Sequence, residues 1–276
     1  MYTYQGKTAL ITGASSGIGA AFARALAAKG MNLVLVARSQ EKLHRLAETL
    51  MQQYAVHVEV VVADLSQEDA AQTVYDTVQR QQRSVDLLIN NAGVATNGLF
   101  AQQSLRTQQD EILLNVNTVV SLTHLFLQAM IQDGHGAIIN VASTAGFQSM
   151  PYRAVYSATK AFIIAWSEAL WAETRQQGVS VVTLCPGPTE TNIYEVMGTD
   201  DAVLGKKVPP EQVVQTGLHA LEKGKMTVID GRSNYWLSQA YRVLPRRVVV
   251  NLVERLFRPT SATTPRKEQN ISTINS

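Results

Sequence analysis

Short apolar runs alternate along this chain with longer amphipathic stretches. The apolar runs have the length of β-strands, and their apolar residues follow one another almost continuously instead of alternating with polar ones. That pattern is typical of parallel strands that are buried on both faces of a sheet. The runs predict strands at Ala9–Thr12, Asn32–Ala37, His57–Ala63, Leu87–Asn90, Ala137–Ala142, Ser180–Leu184 and Met226–Ile229.

The amphipathic stretches between these runs have helical spacing. They predict helices at residues 17–29, 40–54, 67–82, 110–132, 155–177 and 210–223. Alternation of strand and helix at this spacing predicts the α/β class, with a doubly wound parallel sheet and helices on both of its faces. The sequence shows no repeat and no linker, so we expect a single domain over residues 1–258.

Two segments depart from this alternation. Residues 187–209 show little periodicity, and a long loop in a compact domain is usually a lid or is disordered. We therefore predict a mobile lid at about residues 190–208. Residues 259–276 are polar and lack an apolar pattern, which predicts a flexible C-terminal tail.

Residues 235–257 interleave aromatic and aliphatic side chains with arginines. A basic amphipathic stretch of this kind can make a peripheral contact with a membrane. It can instead pack its apolar face over the protein's own pocket or against a partner subunit. We expect packing, because amphipathic segments serve that purpose more often.

Composition and charge narrow the classes of function. The 276 residues are 46% hydrophobic and 17% charged, which is ordinary for a globular protein, and the net charge of +2 implies neither a nucleic acid nor an acidic membrane as partner. The single cysteine, Cys185, cannot form an intrachain disulfide, and its place at the end of an apolar run predicts a buried structural thiol. The 5 histidines are scattered, so no metal site is expected.

The sequence also bears on secretion and membrane insertion. The N-terminal residues have no apolar region of the kind found in signal peptides, and no uncharged apolar run reaches the ~18 residues of a membrane span. We therefore expect a cytoplasmic protein with no transmembrane segment.

A glycine-rich turn, Thr-Gly-Ala-Ser-Ser-Gly-Ile-Gly at residues 12–19, lies between the first predicted strand and the first predicted helix. Such a turn presents backbone N–H groups at the positive end of a helix dipole, which makes a pocket for a pyrophosphate. Glycines also mark ordinary tight turns. The residues predicted to bind a dinucleotide here are Gly13, Ser15, Ser16, Gly17, Ile18 and Gly19.

Arg38 follows the second strand, where an NAD site normally has an acidic residue that binds the ribose 2′-hydroxyl. Ala37 offers no carboxylate that would repel a 2′-phosphate, and the Arg38 guanidinium can bind one through two hydrogen bonds. The pair predicts NADP(H) in preference to NAD(H). A solvated arginine at a strand end would give the same sequence.

Asp64 and Leu65 follow the third strand. The Asp64 carboxylate can accept a hydrogen bond from an adenine amino group, and Leu65 can pack on the adenine ring. Asp64 can equally cap a helix that starts near Ser66, and one residue can serve both roles.

Asn91, Ala92 and Gly93 follow the fourth strand. At the carboxyl edge of a parallel sheet, small residues and amides allow the backbone to approach a ligand closely. Asn and Gly also favour an ordinary turn. We favour a role in cofactor binding, because two consecutive asparagines, Asn90 and Asn91, follow a buried strand.

Tyr156 and Lys160 lie one turn apart on one face of a predicted helix. A phenol with a pKa of about 10 is a poor acid–base catalyst at neutral pH. A neighbouring ammonium stabilises the phenolate and lowers that pKa. Ser143, just after the fifth strand, can hold a carbonyl oxygen beside Tyr156.

In this order, these residues resemble the short-chain dehydrogenase/reductase superfamily in its single-domain form. The turn at 12–19 matches the cofactor turn of that family, residues 90–93 match its adenine-side motif, and Tyr156 and Lys160 match its catalytic pair. Further matches are Ser143, Asn115 and the nicotinamide-side segment from Pro186 to Thr191. The match spans about residues 5–230, and the chain is similar to a bacterial group that also resembles ketoacyl and steroid reductases.

The resemblance implies a Rossmann-like fold, a homodimer or homotetramer, and an NADP(H)-dependent oxidoreductase that interconverts a carbonyl and an alcohol by hydride transfer. It implies that Tyr156 is the general acid or base, that Lys160 lowers its pKa and binds the nicotinamide ribose, and that Ser143 orients the carbonyl. Asn115 would hold a water molecule beside Lys160. The nicotinamide pocket would be shaped by Pro186, Gly187, Thr189 and Thr191.

One departure bears on the cofactor. Many family members that prefer NADP carry a basic residue in the glycine turn where this chain has Ser16. Arg38 must then supply most of the recognition of a 2′-phosphate.

The expected wall of the substrate pocket is mostly apolar and aromatic, which favours a hydrophobic ketone or aldehyde over a sugar or a charged acid. Its residues are Val94, Ala95, Phe147, Met150, Tyr152, Tyr194, Val196 and Met197. Alternatives are a nucleotide-sugar epimerase or dehydratase, a non-catalytic NADP-binding sensor or scaffold, and an NAD-preferring dehydrogenase. The epimerases carry a sizeable C-terminal substrate domain that this sequence does not show.

Overall fold

The computed structural model describes residues 2–81, 83–191, 193 and 206–258. Its centre is a seven-stranded parallel sheet in the order β3-β2-β1-β4-β5-β6-β7. The strands are β1 Thr8–Thr12, β2 Asn32–Ala37, β3 Val58–Val62, β4 Leu87–Asn90, β5 Gly136–Val141, β6 Val179–Cys185 and β7 Thr227–Ile229. The α/β fold predicted from the sequence, a Rossmann-like doubly wound sheet, is confirmed.

β2 and β3 lie on one side of β1, and β4 to β7 lie on the other, so the order of the strands reverses between β1 and β4. In the pairing register, Leu10 lies opposite Val34 of β2 on one side and opposite Leu88 of β4 on the other. Loops that leave the carboxyl ends of β1 and β4 therefore diverge to opposite sides and leave a crevice between them. In open α/β sheets, ligands bind in the crevice at such a switch point.

The helices cover both faces of the sheet. They are α1 Gly17–Ala27, α2 Gln40–Gln53, α3 Ala70–Arg80, α4 Leu105–Ile112, α5 Thr118–Gln132, α6 Ala154–Thr174, α7 Pro210–Glu222, α8 Arg232–Val243 and α9 Arg246–Phe257. A π-helical segment, Leu113–Asn117, joins α4 to α5. Short 3-10 turns lie at Phe100–Gln102, Thr144–Phe147 and Arg175–Gln177.

Side chains of successive strand residues enter two separate cores. Ile11 and Leu35 pack with Phe22 of α1 on one face, where α2 and α7 also lie. Leu10 and Val34 point to the other face, where α3, α5 and α6 pack. This alternation follows from the two-residue period of a strand, and burial on both faces explains why the strand sequences read as continuous apolar runs.

The predicted elements agree closely with the structure in most places. Each predicted strand lies within one residue of an observed one at both ends. The fourth predicted helix begins too late, because the observed helical segment starts at Leu105 and not at 110. Residues 235–257 were predicted only as an amphipathic stretch, and the structure has the helices α8 and α9 there, beginning at Arg232.

The continuous helical segment Leu105–Gln132 is long and apolar enough to cross a membrane, judged by length and composition alone. Polar residues such as Asn115, Thr118 and His124 interrupt its apolar residues. The expectation that the chain has no transmembrane segment stays a prediction. In the structure, Leu122, Phe126 and Met130 on this segment pack into the core beneath the sheet. Its apolar side chains thus have a role in the core of this fold.

Several predictions fall on residues outside the described ranges. The predicted tail at 259–276 lies entirely outside them. So do most residues of the predicted lid at 190–208, among them the proposed wall residues Tyr194, Val196 and Met197. These predictions stay as they were stated.

Candidate active site

The glycine turn after β1 is packed so closely that two of its positions have no room for a side chain. A Cβ built at Gly19 would overlap the carbonyl oxygen of Gly13 and would lie 2.7 Å from Asn91 Nδ2. A Cβ at Gly13 would lie 2.9 Å from Asn91 Nδ2, and Gly13 also has a positive φ of 65°. The turn thus brings its backbone against the loop that follows β4, at the start of α1.

Asn91 joins this turn to the loop after β4. Its side-chain amide donates to the carbonyl oxygen of Thr12 at 2.9 Å, and its backbone N–H donates to the Thr12 hydroxyl at 2.9 Å. Ala92 donates to the same hydroxyl at 2.9 Å. The asparagine therefore has a structural role at the switch point, and it places Ala92 and Gly93 beside the crevice.

Arg38 is exposed at the end of β2, near Asp64 at the end of β3. Burial would raise the pKa of the Asp64 carboxyl, but hydrogen bonds from Ser66 and the charge of Arg38 bring that pKa below its ordinary value. Asp64 accepts hydrogen bonds from the Ser66 backbone at 3.1 Å and hydroxyl at 2.7 Å, so it stabilises the turn before α3. Asp64 was predicted to cap a helix starting near Ser66. Its hydrogen bonds lie in a turn there, and α3 begins later, at Ala70.

Leu65 differs from its predicted role. Its side chain is only 4% exposed and belongs to the core on the α3 face. Its carbonyl oxygen accepts a 2.7 Å hydrogen bond from the hydroxyl of Thr118. The side chain is therefore packed in the core, and its contact with an adenine ring stays a prediction.

Tyr156 and Lys160 lie on the first turns of α6, and both are buried. Lys160 Nζ lies 5.8 Å from the centroid of the Tyr156 ring and donates a 2.9 Å hydrogen bond to the carbonyl oxygen of Val141 at the end of β5. Burial lowers the pKa of Lys160 to about 8, and the nearby Cys185 and Glu111 act in the opposite direction. The structure therefore brings the predicted pair together, and the lowered pKa of Lys160 makes its ammonium group more acidic than usual beside the buried Tyr156 phenol.

Asn115 lies inside the π-helical segment and is 1% exposed. Its side chain accepts from the backbone N–H of Val94 at 3.0 Å and donates to the Val94 carbonyl at 2.9 Å and the Thr159 hydroxyl at 3.2 Å. A Cβ at Gly93 would lie 3.1 Å from Asn115 Oδ1 and 3.5 Å from Lys160 Nζ. π-Helical turns inside α-helices are frequent at functional sites, and this one joins the loop after β4 to α6.

Ser143 begins the 3-10 turn after β5, and its hydroxyl accepts a 3.1 Å hydrogen bond from the backbone N–H of Ala145. The neighbouring Thr144 donates to the carbonyl oxygen of Pro186 at 2.9 Å. The segments after β5 and β6 are thus fastened together. Ser143 lies at the same edge of the sheet as Tyr156.

The segment after β6 reaches back to the glycine turn. A Cβ at Gly17 would lie 2.9 Å from the methyl group of Thr191. Thr189 is buried and donates to the carbonyl oxygen of Gly187 at 3.0 Å. At Gly187 itself a Cβ would overlap the side chain of Asn234 on α8. The residues predicted for the two ends of the dinucleotide are therefore brought to one crevice.

Comparison with known proteins supports this arrangement. Residues 7–202 match the model of the short chain dehydrogenase family. The chain belongs to that family. Its relatives are named reductases and dehydrogenases, and the chain is an oxidoreductase of this family.

Two curated relatives show how far the similarity extends. The ketoacyl reductase HetN of Nostoc sp. is 39% identical over 190 residues, which are 68% of this chain and 65% of that protein. The 7beta-hydroxysteroid dehydrogenase of Collinsella aerofaciens is 34% identical over 83% of this chain and 88% of that protein. This oxidoreductase thus matches just under two thirds of the length of the first relative and most of the second.

A solved short-chain dehydrogenase from Sphingobium yanoikuyae, in complex with NADPH, has a TM-score of 0.77 to this chain at 30% identity. The match covers 95% of this chain and 99% of that one. Solved structures of this fold hold either NADPH or NAD. The family relationship therefore points to a nicotinamide dinucleotide without deciding which form.

Glu111 is a further residue of this oxidoreductase that lies near the site and was not predicted from the sequence. Its carboxylate, on α4 one turn before Asn115, is 0% exposed and accepts hydrogen bonds from the Thr96 backbone at 3.3 Å and hydroxyl at 2.6 Å. Burial raises the pKa of Glu111, while Thr96 and the charge of Lys160 act against that rise. The available signal was an acidic residue one helical turn before Asn115, on the face that the π segment turns inward.

The residues predicted for the pocket wall fall into two apolar clusters. Ala95 and Met150 pack around Tyr156, whereas Phe147 packs with Ile163 and Cys185. The other buried members of the cluster around Tyr156 are Ala145 and, from α9, Val249 and Val253. A cavity of about 240 Å³ lies beside this cluster, lined by Thr96, Gly98, Leu99, Phe100, Gln103, Gln108, Pro151, Tyr152, Ala154 and Glu254.

Tyr152 fastens the rim of this cavity. Its backbone has a positive φ of 67°, which is rare for a residue with a side chain, and its carbonyl accepts from the Gly98 N–H at 2.8 Å. Its hydroxyl donates to Glu254 Oε1 at 2.8 Å. The rim is thereby joined both to the loop after β4 and to α9.

Proposed function

We propose that this enzyme transfers hydride between NADP(H) and a hydrophobic ketone or aldehyde and its alcohol, with Tyr156 as general acid or base. The observation that carries the proposal is the burial of Tyr156 and Lys160 together, at the sheet edge where Gly93, Asn115 and Ser143 also lie. A phenol buried beside an ammonium is suited to proton transfer near neutral pH.

The residues of the crevice fit a dinucleotide. The glycine turn is tightly packed at Gly13 and Gly19, and residues 15–18 at the start of α1 are half-buried, where a pyrophosphate would bind favourably to backbone N–H groups. Arg38 and Asp64 lie where the adenosine ribose and base would bind, and Pro186, Gly187, Thr189 and Thr191 lie at the opposite end. When bound, the dinucleotide supplies or accepts the hydride.

The chain's own residues handle the proton and orient the substrate. Tyr156 donates a proton to the carbonyl oxygen in reduction and takes one from the alcohol in oxidation. Lys160 stabilises the phenolate form of Tyr156 by its charge. Ser143 donates a hydrogen bond to the same oxygen, and Asn115 holds the loop after β4 at Val94 in register with α6.

NADP(H) is proposed over NAD(H) because Arg38 is exposed at the end of β2, where a 2′-phosphate would lie, and no carboxylate occupies that strand end. Arg38→Asp is expected to shift the ratio of the NADP and NAD dissociation constants roughly tenfold to a hundredfold towards NAD, as for a close charge contact. Titration of both dinucleotides checks this. Lys42→Asp on α2 is the matched control, and an unchanged ratio in Arg38→Asp would mean that Arg38 is only a surface residue.

Glu111 is expected to affect the pH dependence through Lys160. An ionised Glu111 favours the ammonium form of Lys160. Glu111→Gln should therefore lower the pKa of Lys160 from about 8 to a smaller value. With less positive charge beside it, Tyr156 becomes a weaker acid. In alcohol oxidation the acid limb of kcat/KM should therefore move to higher pH and the alkaline limb to lower pH.

A pH profile of kcat/KM measures how far the two limbs move towards each other. Gln keeps the acceptor for Thr96, so the change removes mainly the charge. Asp110→Asn, a partly exposed carboxylate one position earlier on α4, is the control and should leave both limbs in place. Limbs that stay fixed in Glu111→Gln would show that the carboxyl is protonated in the working enzyme.

The apolar cluster around Tyr156 supports a hydrophobic substrate. The direct test is NADPH oxidation with matched panels of hydrophobic ketones and aldehydes, sugars and charged oxoacids. Turnover only with the hydrophobic panel agrees with the proposal. Dinucleotide binding with no turnover of any carbonyl compound would favour a sensor or scaffold instead. Assembly as a homodimer or homotetramer and a cytoplasmic location stay predictions.

A further inference from the structure

Exposed apolar side chains are concentrated on α8 and α9. Of the 15 large hydrophobic residues that are exposed in the described part of the chain, 8 lie on these two helices and the link between them. Trp236 is 68% exposed and Val243 is 82% exposed. The others are Tyr235, Leu237, Leu244, Val248, Leu252 and Leu256. Singly exposed apolar residues are ordinary, but such a concentration marks an interaction surface.

The apolar arc of α9 is wider than the part that the protein covers. Val249 and Val253 are buried against the cluster around Tyr156. Val248, Leu252 and Leu256, spaced four residues apart, form a neighbouring stripe that stays about half exposed. Packing over the pocket therefore accounts for one half of this arc and leaves the other half without a partner in the described chain.

Positive charge is concentrated on the same segment. Residues 231–258 contain six arginines and one acidic residue, a net charge of +5, whereas the whole chain carries only +2. The remaining residues therefore carry −3. Arg246, Arg247 and Arg255 are exposed on α9, and Arg232 is exposed at the start of α8. The net charge of +2 therefore combines a positive segment with a negative remainder.

We propose that α8 and α9 form a docking surface for an anionic lipid bilayer. Arginines near a negatively charged membrane are attracted to it, and exposed Leu, Val and Trp side chains can enter the interfacial region. Tryptophan and tyrosine favour that interface, and Trp236 and Tyr235 lie edge to face on this surface with their ring centroids 5.5 Å apart. Docking in this way would bring the lipid to the outer side of the helix whose inner side covers Tyr156.

Charge argues for lipid over a second copy of the chain. A twofold dimer through this surface would place the same patch on both subunits. Two patches of +5 each would then face one another, which is unfavourable. An anionic bilayer is complementary to both the charge and the apolar stripe.

Flotation of the full chain with NADPH, on vesicles of phosphatidylcholine and phosphatidylglycerol or of phosphatidylcholine alone, tests the proposal. The protein should float with the anionic vesicles and bind them less as salt is raised. Arg246→Gln/Arg247→Gln/Arg255→Gln should weaken binding roughly a hundredfold, as for three charges near a lipid surface. Lys42→Gln/Lys223→Gln/Lys225→Gln removes three exposed charges elsewhere and should leave it intact.

The apolar contribution has its own matched pair. Trp236→Ser/Leu252→Ser should lose most of the binding, whereas Met51→Ser/Leu105→Ser, which alters exposed apolar residues elsewhere, should keep it. Thermal melting and NADPH titration confirm that each variant is folded. Because the readout is binding and not turnover, failure of the proposed function would not affect this result.

A measurement on the unaltered chain avoids dependence on any variant. Brominated anionic lipid should quench the fluorescence of the exposed Trp236, which lies on the docking surface, while Trp166 and Trp171 are partly buried in the core. The absence of both flotation and quenching overturns the proposal. Loss of vesicle binding to the same extent in the control variants also overturns it. So does an unaltered protein that does not bind vesicles and forms a dimer, if Trp236→Ser/Leu252→Ser converts that dimer to a monomer.

Discussion

Tyr156→Phe is expected to lower kcat at least ~10²-fold, the scale of general acid–base catalysis, while the dinucleotide still binds. Phenylalanine keeps the ring that packs with Ala95, Met150 and Val253, so the fold and the pocket should be preserved. Only the hydroxyl that exchanges the proton is removed. Turnover of a hydrophobic ketone with NADPH and a fluorescence titration of NADPH measure the two effects separately.

Tyr75→Phe makes the same chemical change on α3, where the ring packs edge to face with Phe126 at 5.2 Å. This control should retain turnover. Near-normal turnover in Tyr156→Phe would remove Tyr156 from the mechanism and would direct attention to another proton donor in the crevice. Loss of NADPH binding together with turnover would point to a structural role.

Gly19→Ala is expected to lower dinucleotide affinity roughly a hundredfold and the free energy of unfolding by ~1–3 kcal/mol. The added methyl group would overlap the carbonyl oxygen of Gly13 and would lie 2.7 Å from Asn91 Nδ2. Because the first of these atoms belongs to the backbone, the turn itself must move. NADPH titration and thermal melting measure the two losses.

Gly134→Ala separates this overlap from the general cost of replacing a glycine. Gly134 has a positive φ of 66°, and a Cβ there meets nothing within 4 Å. That variant should lose some stability from backbone strain but keep its affinity for NADPH. Equal affinity in Gly19→Ala and the unaltered enzyme would contradict a tightly packed pyrophosphate site.

The strands were predictable because their burial on both faces leaves an unmistakable trace in the sequence. The run Asn32–Ala37, for example, is apolar at every position after Asn32, and the observed strand has the same bounds. The start of α4 was harder to predict. Its first residues, from Leu105 to Gln109, are mostly exposed and polar, so they carry no apolar period.

Contacts between residues that are distant in sequence could not be predicted from the sequence. Glu111 acquires its importance only because α4 places it against Thr96 and near Lys160. Leu65 is a second case, since its position after β3 gave no sign that tertiary packing places its side chain in the core. Neither outcome leaves a local signal, because each depends on contacts across 15 or more residues.

The sequence alone determined the α/β class, the strand positions and the motifs that identify the family. These depend on local periodicity and on residue types at short spacing, which the chain displays directly. Only the tertiary structure decided which side of α9 covers Tyr156 and which side remains open with its arginines. That division depends on how much apolar surface the rest of the protein can cover, and a helix sequence does not contain this information.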